Sequence, residues 1–212
     1  LLDTPGLHDP NPEPMSAMRR KLAAVLCADV VGYSRLMEQD EASALNRVKS
    51  AFATFEPALT QHHGRVVKLM GDGALIEFDS AVDAVACAVA LQQAVASSDP
   101  DLKFRIGVNL GDVIVDGDDL YGDGINIAAR LQTYAPPGGI ALAQTVREHI
   151  TGKLSLALKD MGSVTMKNIS RPIQVFTVIG PAAQGAARDG DRVAICVLPF
   201  ENMSGDREQD FF

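Results

Sequence analysis

Residues 65–78 constrain this chain more than any other stretch. Arg65-Val66-Val67-Lys68-Leu69-Met70 and Ala74-Leu75-Ile76-Glu77-Phe78 are short, mostly apolar runs separated by Gly71-Asp72-Gly73. Glycines on either side of an aspartate supply positive φ at little cost, so the stretch predicts two strands joined by a tight hairpin. Such a turn has no need of a cation, yet Lys68 stands four residues before Asp72 inside an apolar run. A lysine and an aspartate near one hairpin tip, with backbone bared by two glycines, suit a phosphate and metal site. A solvated turn, with Asp72 present for turn propensity and Lys68 reaching to water, fits this segment equally well.

The rest of the chain adds charged groups in similar settings. Residues 1–18 hold four prolines and little apolar periodicity, so they read as a flexible leader, with Met15 or Met18 a possible natural start. Lys21–Val31 is an apolar run ending in Asp29-Val-Val-Gly32-Tyr-Ser34, a buried central strand closed by an aspartate and a glycine turn. An aspartate at the edge of a buried strand is costly unless it is paired or bound to metal. Asp40 or Glu41 opens a helix predicted to run to about His62, with Leu45, Val48, Phe52, Phe55 and Leu59 as its apolar stripe and a kink at Pro57. Ser80 caps a second helix to about Ser97 with almost no polar face. Lys103–Leu110 and Asp112–Val115 read as two strands separated by Gly111.

The loop 116–124, with Asp119 at its entry, leads into a helix over 125–131. Asn126 and Arg130 share a face of that helix, four residues apart. An arginine–asparagine pair at a helix start below a glycine-rich loop suits a phosphate and sugar clamp, and also an ordinary solvated helix face. A strand at Ile140–Ala143, a helix near Thr145–Ile150 and a hairpin of Ser155–Lys167 with Ile173–Val178 complete the domain. Residues 180–191 read as a linker, and Arg192–Phe200 as a fresh strand.

Composition limits the partners. The 212 residues carry a net charge of −8 and a pI near 4.9, which argues against a nucleic-acid surface or an anionic lipid partner. Cys27, Cys87 and Cys196 are odd in number and set in apolar runs, which reads as reduced core cysteines in a cytoplasmic protein. No run approaches the ~18 uninterrupted apolar residues of a membrane span. His62 and His63 read as a helix-end cap and His149 as a surface residue.

In chain order, Asp29-x-x-Gly32-Tyr-Ser, Lys68-x-x-Gly71-Asp72-Gly73 and Asp119-Leu-Tyr-Gly-x-x-x-Asn126-x-x-x-Arg130 resemble the catalytic domain of the class III adenylate/guanylate cyclases over about residues 20–179. The tail 193–212 is similar to the first strand and loop of a TolB-like module, which would make 192–212 the start of a C-terminal regulatory domain. The resemblance implies an α+β fold, a ferredoxin-like, mainly antiparallel sheet covered by helices. It also implies roles, position by position. Asp29 and Asp72 match the carboxylates that hold two Mg²⁺ (or Mn²⁺) ions. Lys68 and Asp119 match the pair that reads adenine. Asn126 matches the ribose-orienting residue and Arg130 the one that stabilises charge on the α-phosphate. Lys167 matches a phosphate-binding lysine, although this chain has Asn168 where the family often has glycine.

The implied reaction is conversion of ATP to 3′,5′-cyclic AMP and pyrophosphate by in-line attack of the ribose 3′-oxygen, at sites shared across a homodimer. The alternatives are a non-catalytic nucleotide-binding or dimerisation module and a guanylate cyclase. All six principal positions are filled, against the first, and the Lys68/Asp119 pair opposes the second, since guanine presents the opposite polarity at that edge. A diguanylate cyclase would carry a Gly-Gly-Asp/Glu-Glu-Phe hairpin, which Gly71-Asp72-Gly73 is not.

Overall fold

The structure, a computed structural model, describes residues 18–180. In chain order its elements are β1 (Arg19–Val30), α1 (Tyr33–Gln39), α2 (Glu41–Ala53), α3 (Phe55–Gln61), β2 (Arg65–Met70), β3 (Gly73–Phe78) and α4 (Ala81–Ser98), followed by β4 (Phe104–Asp116), β5 (Asp119–Tyr121), α5 (Asp123–Leu131), β6 (Ile140–Ala143), α6 (Gln144–Ile150), β7 (Leu158–Val164) and β8 (Ile173–Val178). The strands form one sheet in the order β2-β3-β1-β4-β6-β8-β7, with β5 paired to β4 off that path. Every pairing is antiparallel except β4 with β6. This is the α+β, mainly antiparallel plan expected. Most of the leader, most of the linker and the tail read as the start of a TolB-like module, with Cys196, lie outside the described residues.

β1 is central, and Ala23 to Ala28 are buried on both faces, which is why the sequence there is one apolar run rather than an alternation. Even-numbered β1 residues (Ala24, Leu26, Ala28, Val30) join Ile76, Phe78, Phe104, Ile106 and Val108 under α2, α3, α4 and α6 in the main core. Odd-numbered ones (Ala23, Val25, Cys27) face Leu75, Val113, Leu120 and Ala128 in a smaller cluster beneath α5 and β5. Asp29 continues the odd-numbered register of this second face. Among the described residues α4 alone has the length and apolar composition of a membrane span, and its burial against the sheet accounts for both. Burial pushes the Cys27 and Cys87 thiols up to about 12, the carboxylate of Asp83 adding to the effect at Cys87.

Several boundaries differ from the sequence reading. The helix read over 40–62 is two, α2 and α3, broken at Thr54 rather than kinked at Pro57. In an unbroken helix the missing N–H of Pro57 would face the carbonyl of Ala53, the last residue of α2. After the break Pro57 is the third residue of α3, in a turn whose N–H groups have no helical partner anyway. Asp40 caps α2, accepting from the Ser43 N–H at 3.0 Å, and Ser80 caps α4 through the Asp83 N–H at 3.3 Å. Gly111 does not divide two strands, because β4 runs unbroken through it, paired with β1 from Arg19↔Val115 to Val30↔Phe104. Asp119 lies in β5 rather than in a loop, and β7 is shorter than read. α1 was not anticipated: it buries no residue fully and offers no apolar stripe to read.

Candidate active site

Strand register sets the first group. Asp29 at the end of β1 pairs with Gly73 of β3 and with Arg105 of β4. Asp72 occupies the β2–β3 turn, whose Gly71 has φ 66°, and the Asp72 carbonyl accepts from the Val30 N–H at 3.3 Å. The carboxyls of Asp29 and Asp72 are within hydrogen-bonding reach of each other. Burial above all, then the neighbouring Asp72 charge and the hydrogen bond to it, push Asp29 up to about 6, with Arg105 opposing. Two facing carboxyls, one of them raised by burial and by the charge of the other, are a donor set that a hard divalent ion would take, with water and phosphate oxygens completing its shell. No group of three or more His, Cys, Asp or Glu side chains suited to a metal occurs among the described residues, so such an ion would rely on this pair.

Arg105 escaped the sequence reading. Its Nε is buried without a hydrogen-bond partner. Register carries it to Asp29, and the available signal was a guanidinium inside the apolar run Phe104–Val108. Arg130 on α5 is similar, half-buried with Nε unpartnered. Unpaired buried N–H donors are costly, and an anion would satisfy both. Asn126, one turn before Arg130, is exposed. The helix carrying both lies tight on the sheet because β4 has glycine at 107. A Cβ there would collide with the Ala128 carbonyl oxygen and come within 2.5 Å of the Gln132 nitrogen.

The second group forms where β5 meets β2. Lys68 Nζ lies 3.4 Å from Asp119 Oδ2, so the two residues read as a pair from the sequence are neighbours in space. Asp119 also accepts from the Leu120 N–H at 3.1 Å and the Tyr121 hydroxyl at 3.2 Å. The Leu120 N–H does most to hold Asp119 below the usual carboxylate range, desolvation opposing and Tyr121 and Lys68 assisting. Lys167 is exposed in the β7–β8 connection. Its neighbour Asn168 adopts φ 62°, so asparagine keeps the left-handed turn that glycine would make there. His149 is exposed, its ring Nδ1 donating to the Thr145 carbonyl at 2.8 Å.

The family model for the adenylate and guanylate cyclase catalytic domain matches residues 15–180. This chain is a member of that family. The "Putative adenylate cyclase 3" of Rhizobium meliloti (strain 1021) is 44% identical over 215 residues, covering 92% of this chain but only 36% of that protein. The chain therefore spans about a third of that relative's length. A crystal structure described as an adenylate/guanylate cyclase/hydrolase from Silicibacter pomeroyi superposes with a TM-score of 0.72 at 39% identity, over 77% of this chain and 99% of that one. The adenylyl cyclase CyaB from P. aeruginosa shares the fold, with a TM-score of 0.70 at 23% identity over 77% of this chain and 96% of its own. A cyclase domain thus carries both groups of residues described above.

Proposed function

We propose that this domain is an adenylate cyclase, converting ATP to 3′,5′-cyclic AMP and pyrophosphate at sites shared between two copies of the chain. The observation that carries the reading is Lys68 beside Asp119, a donor and an acceptor 3.4 Å apart on one edge of the open face. Adenine offers a ring-nitrogen acceptor and a 6-amino donor on one edge, so lysine would donate to the first and aspartate accept from the second. Guanine reverses that polarity and would leave both groups unpaired, which is a strong basis for discrimination.

The remaining candidates suit the other parts of the substrate. Asp29 and Asp72 would hold two Mg²⁺ or Mn²⁺ ions, which when bound clamp the triphosphate and acidify the ribose 3′-hydroxyl. The unpartnered Nε groups of Arg105 and Arg130 give each guanidinium a free donor for phosphate oxygens, with Arg130 assigned to charge on the α-phosphate. Asn126 is assigned to the ribose, and Lys167 has the exposure to reach a phosphate.

The homodimer is supported by β2, an edge strand that exposes Val66 (41%), Leu69 (55%) and Met70 (51%), with Tyr121 (50%) on β5. An edge strand that exposes several apolar side chains is a ready interface, and a second copy of the chain is the occupant proposed. Product analysis with purified protein, offered ATP or GTP with Mg²⁺ and then Mn²⁺, tests the reading. Cyclic AMP from ATP, with little cyclic GMP from GTP, is expected. No cyclic nucleotide from a verified dimer with either metal would overturn it.

A further inference from the structure

The base-reading pair does not stand alone. Among the described residues β5 pairs only with β4, at Ile114↔Tyr121, Val115↔Leu120 and Asp116↔Asp119, yet Asp119 meets a lysine from β2, at the edge of the sheet. The hairpin reaches it by folding back over the open face. Leu120, 4% exposed, is buried in the cluster of Val25, Cys27 and Leu75. At the hairpin tip a second β2 side chain joins the two elements. Arg65 donates to the Asp118 carbonyl from Nη1 at 3.0 Å, and to Glu77 Oε2 from Nε at 2.9 Å and Nη2 at 2.7 Å. Asp118 is the residue immediately before the base reader.

Glu77 is an unexpected group to find in that position. It is the fifth of six residues in the otherwise apolar β3, is 4% exposed, and makes ion pairs with Arg65 and, at 2.7 Å, with Lys21. Burial, the largest influence on its carboxyl, pushes it up, but Lys21 and Arg65 together outweigh burial and keep it below the usual range. A buried carboxylate held by two cations is a poor source of stability compared with an apolar residue, so its presence needs another reason. Here it fixes a guanidinium in one orientation, with one face left to hold a backbone carbonyl. Two guanidinium N–H groups converge on the one oxygen Oε2 while a third holds the carbonyl, a planar fan of donors that lysine cannot reproduce.

Resting on the adenylate cyclase reading, we propose that Arg65, oriented by Glu77, is a positioning residue that clamps the β4–β5 hairpin so that Asp119 stands beside Lys68, and thereby sets the enzyme's preference for adenine. Arg65 acts through Asp119 and need not touch the nucleotide itself. Losing the clamp frees the hairpin tip and raises the KM for ATP more than it lowers kcat.

The test uses the whole 212-residue chain carrying Arg65→Met, Arg65→Lys or Glu77→Gln. Amide hydrogen exchange over 117–121 is measured beside kcat and KM for ATP and for GTP. Arg65→Met is expected to speed exchange over 117–121 while leaving that of β1 unchanged. It is also expected to lower the ATP-to-GTP ratio of kcat/KM about tenfold, the size of one lost positioning hydrogen bond. Arg65→Lys and Glu77→Gln should fall between Arg65→Met and wild type. Unchanged exchange over 117–121 in Arg65→Met overturns the clamp, whatever the enzyme makes. Faster exchange with an unchanged ratio overturns the specificity role. A wild-type dimer that makes no cyclic nucleotide overturns the functional reading and the specificity role with it, and exchange alone then judges the clamp.

Discussion

Asp29 is the residue where the fold and the proposed chemistry pull in opposite directions. Its carboxyl, raised from 3.8 to about 6, holds a proton in the folded chain at pH values where the unfolded chain has released it. Between about pH 4 and 6 the folded state binds more protons, so this group's contribution to metal-free stability falls as pH rises through that window and is flat above it. Asp29→Asn removes the penalty. Without divalent ions, the variant's melting temperature should gain on wild type from pH 4.5 to pH 7.5, by a few degrees at the upper end. A difference that stays constant across that range would contradict the assigned cause. Asp72 is different because its turn is half-exposed. Asp72→Ala should leave the melting temperature within about a degree and cost at least ~100-fold in turnover. Wild-type turnover in that variant would remove the two-metal assignment.

At the scale of elements, the hairpin, the central strand and the α5 helix were legible in the sequence because each is written locally. The β2–β3 turn is signalled by its glycines, β1 by a run apolar on both faces, and α5 by Asn126 and Arg130 at a helical spacing. What the sequence did not disclose depends on pairing between distant strands. Arg105 matters through its register with Asp29, and Arg65 and Glu77 through a hairpin that folds back from β4. Gly111 looked like a break because a glycine's role in a strand depends on its neighbours, and here twelve consecutive pairs with β1 hold it extended. Gly107 is the opposite case, a glycine whose absent side chain sets the height of α5 over the sheet. Gly107→Ala puts a methyl group against the Ala128 carbonyl and the Gln132 nitrogen, both backbone atoms that give way only if the helix lifts. Overpacking of this kind costs about 1–3 kcal/mol. A fall of several degrees in melting temperature is expected, with loss of cyclase activity as Asn126 and Arg130 move. Thermal melting and turnover on the same preparation check it, and full activity at an unchanged melting temperature would show that α5 does not depend on this contact.

The whole molecule presents its candidates as two groups. Among the described residues no hydrogen bond or ion pair joins Lys68 and Asp119 to Asp29 and Asp72. That separation is consistent with each group serving a different nucleotide in a two-fold dimer, one chain giving the carboxylates and the other the base readers with Asn126 and Arg130. The arrangement makes a quantitative prediction. Asp29→Ala and Asn126→Ala should each be inactive, since every site in either homodimer lacks one group. When the two are mixed in equal amounts and allowed to exchange, half of the dimers pair one variant with the other. In each of those one site collects both defects and the other collects none. Specific activity should therefore return to about a quarter of wild type, one site in two from half of the dimers. It should also fall on dilution as the dimer dissociates. Sedimentation on the same mixture establishes that dimers form. If they form and activity stays at the level of the separate variants, each chain carries a complete site and the shared-site reading is wrong.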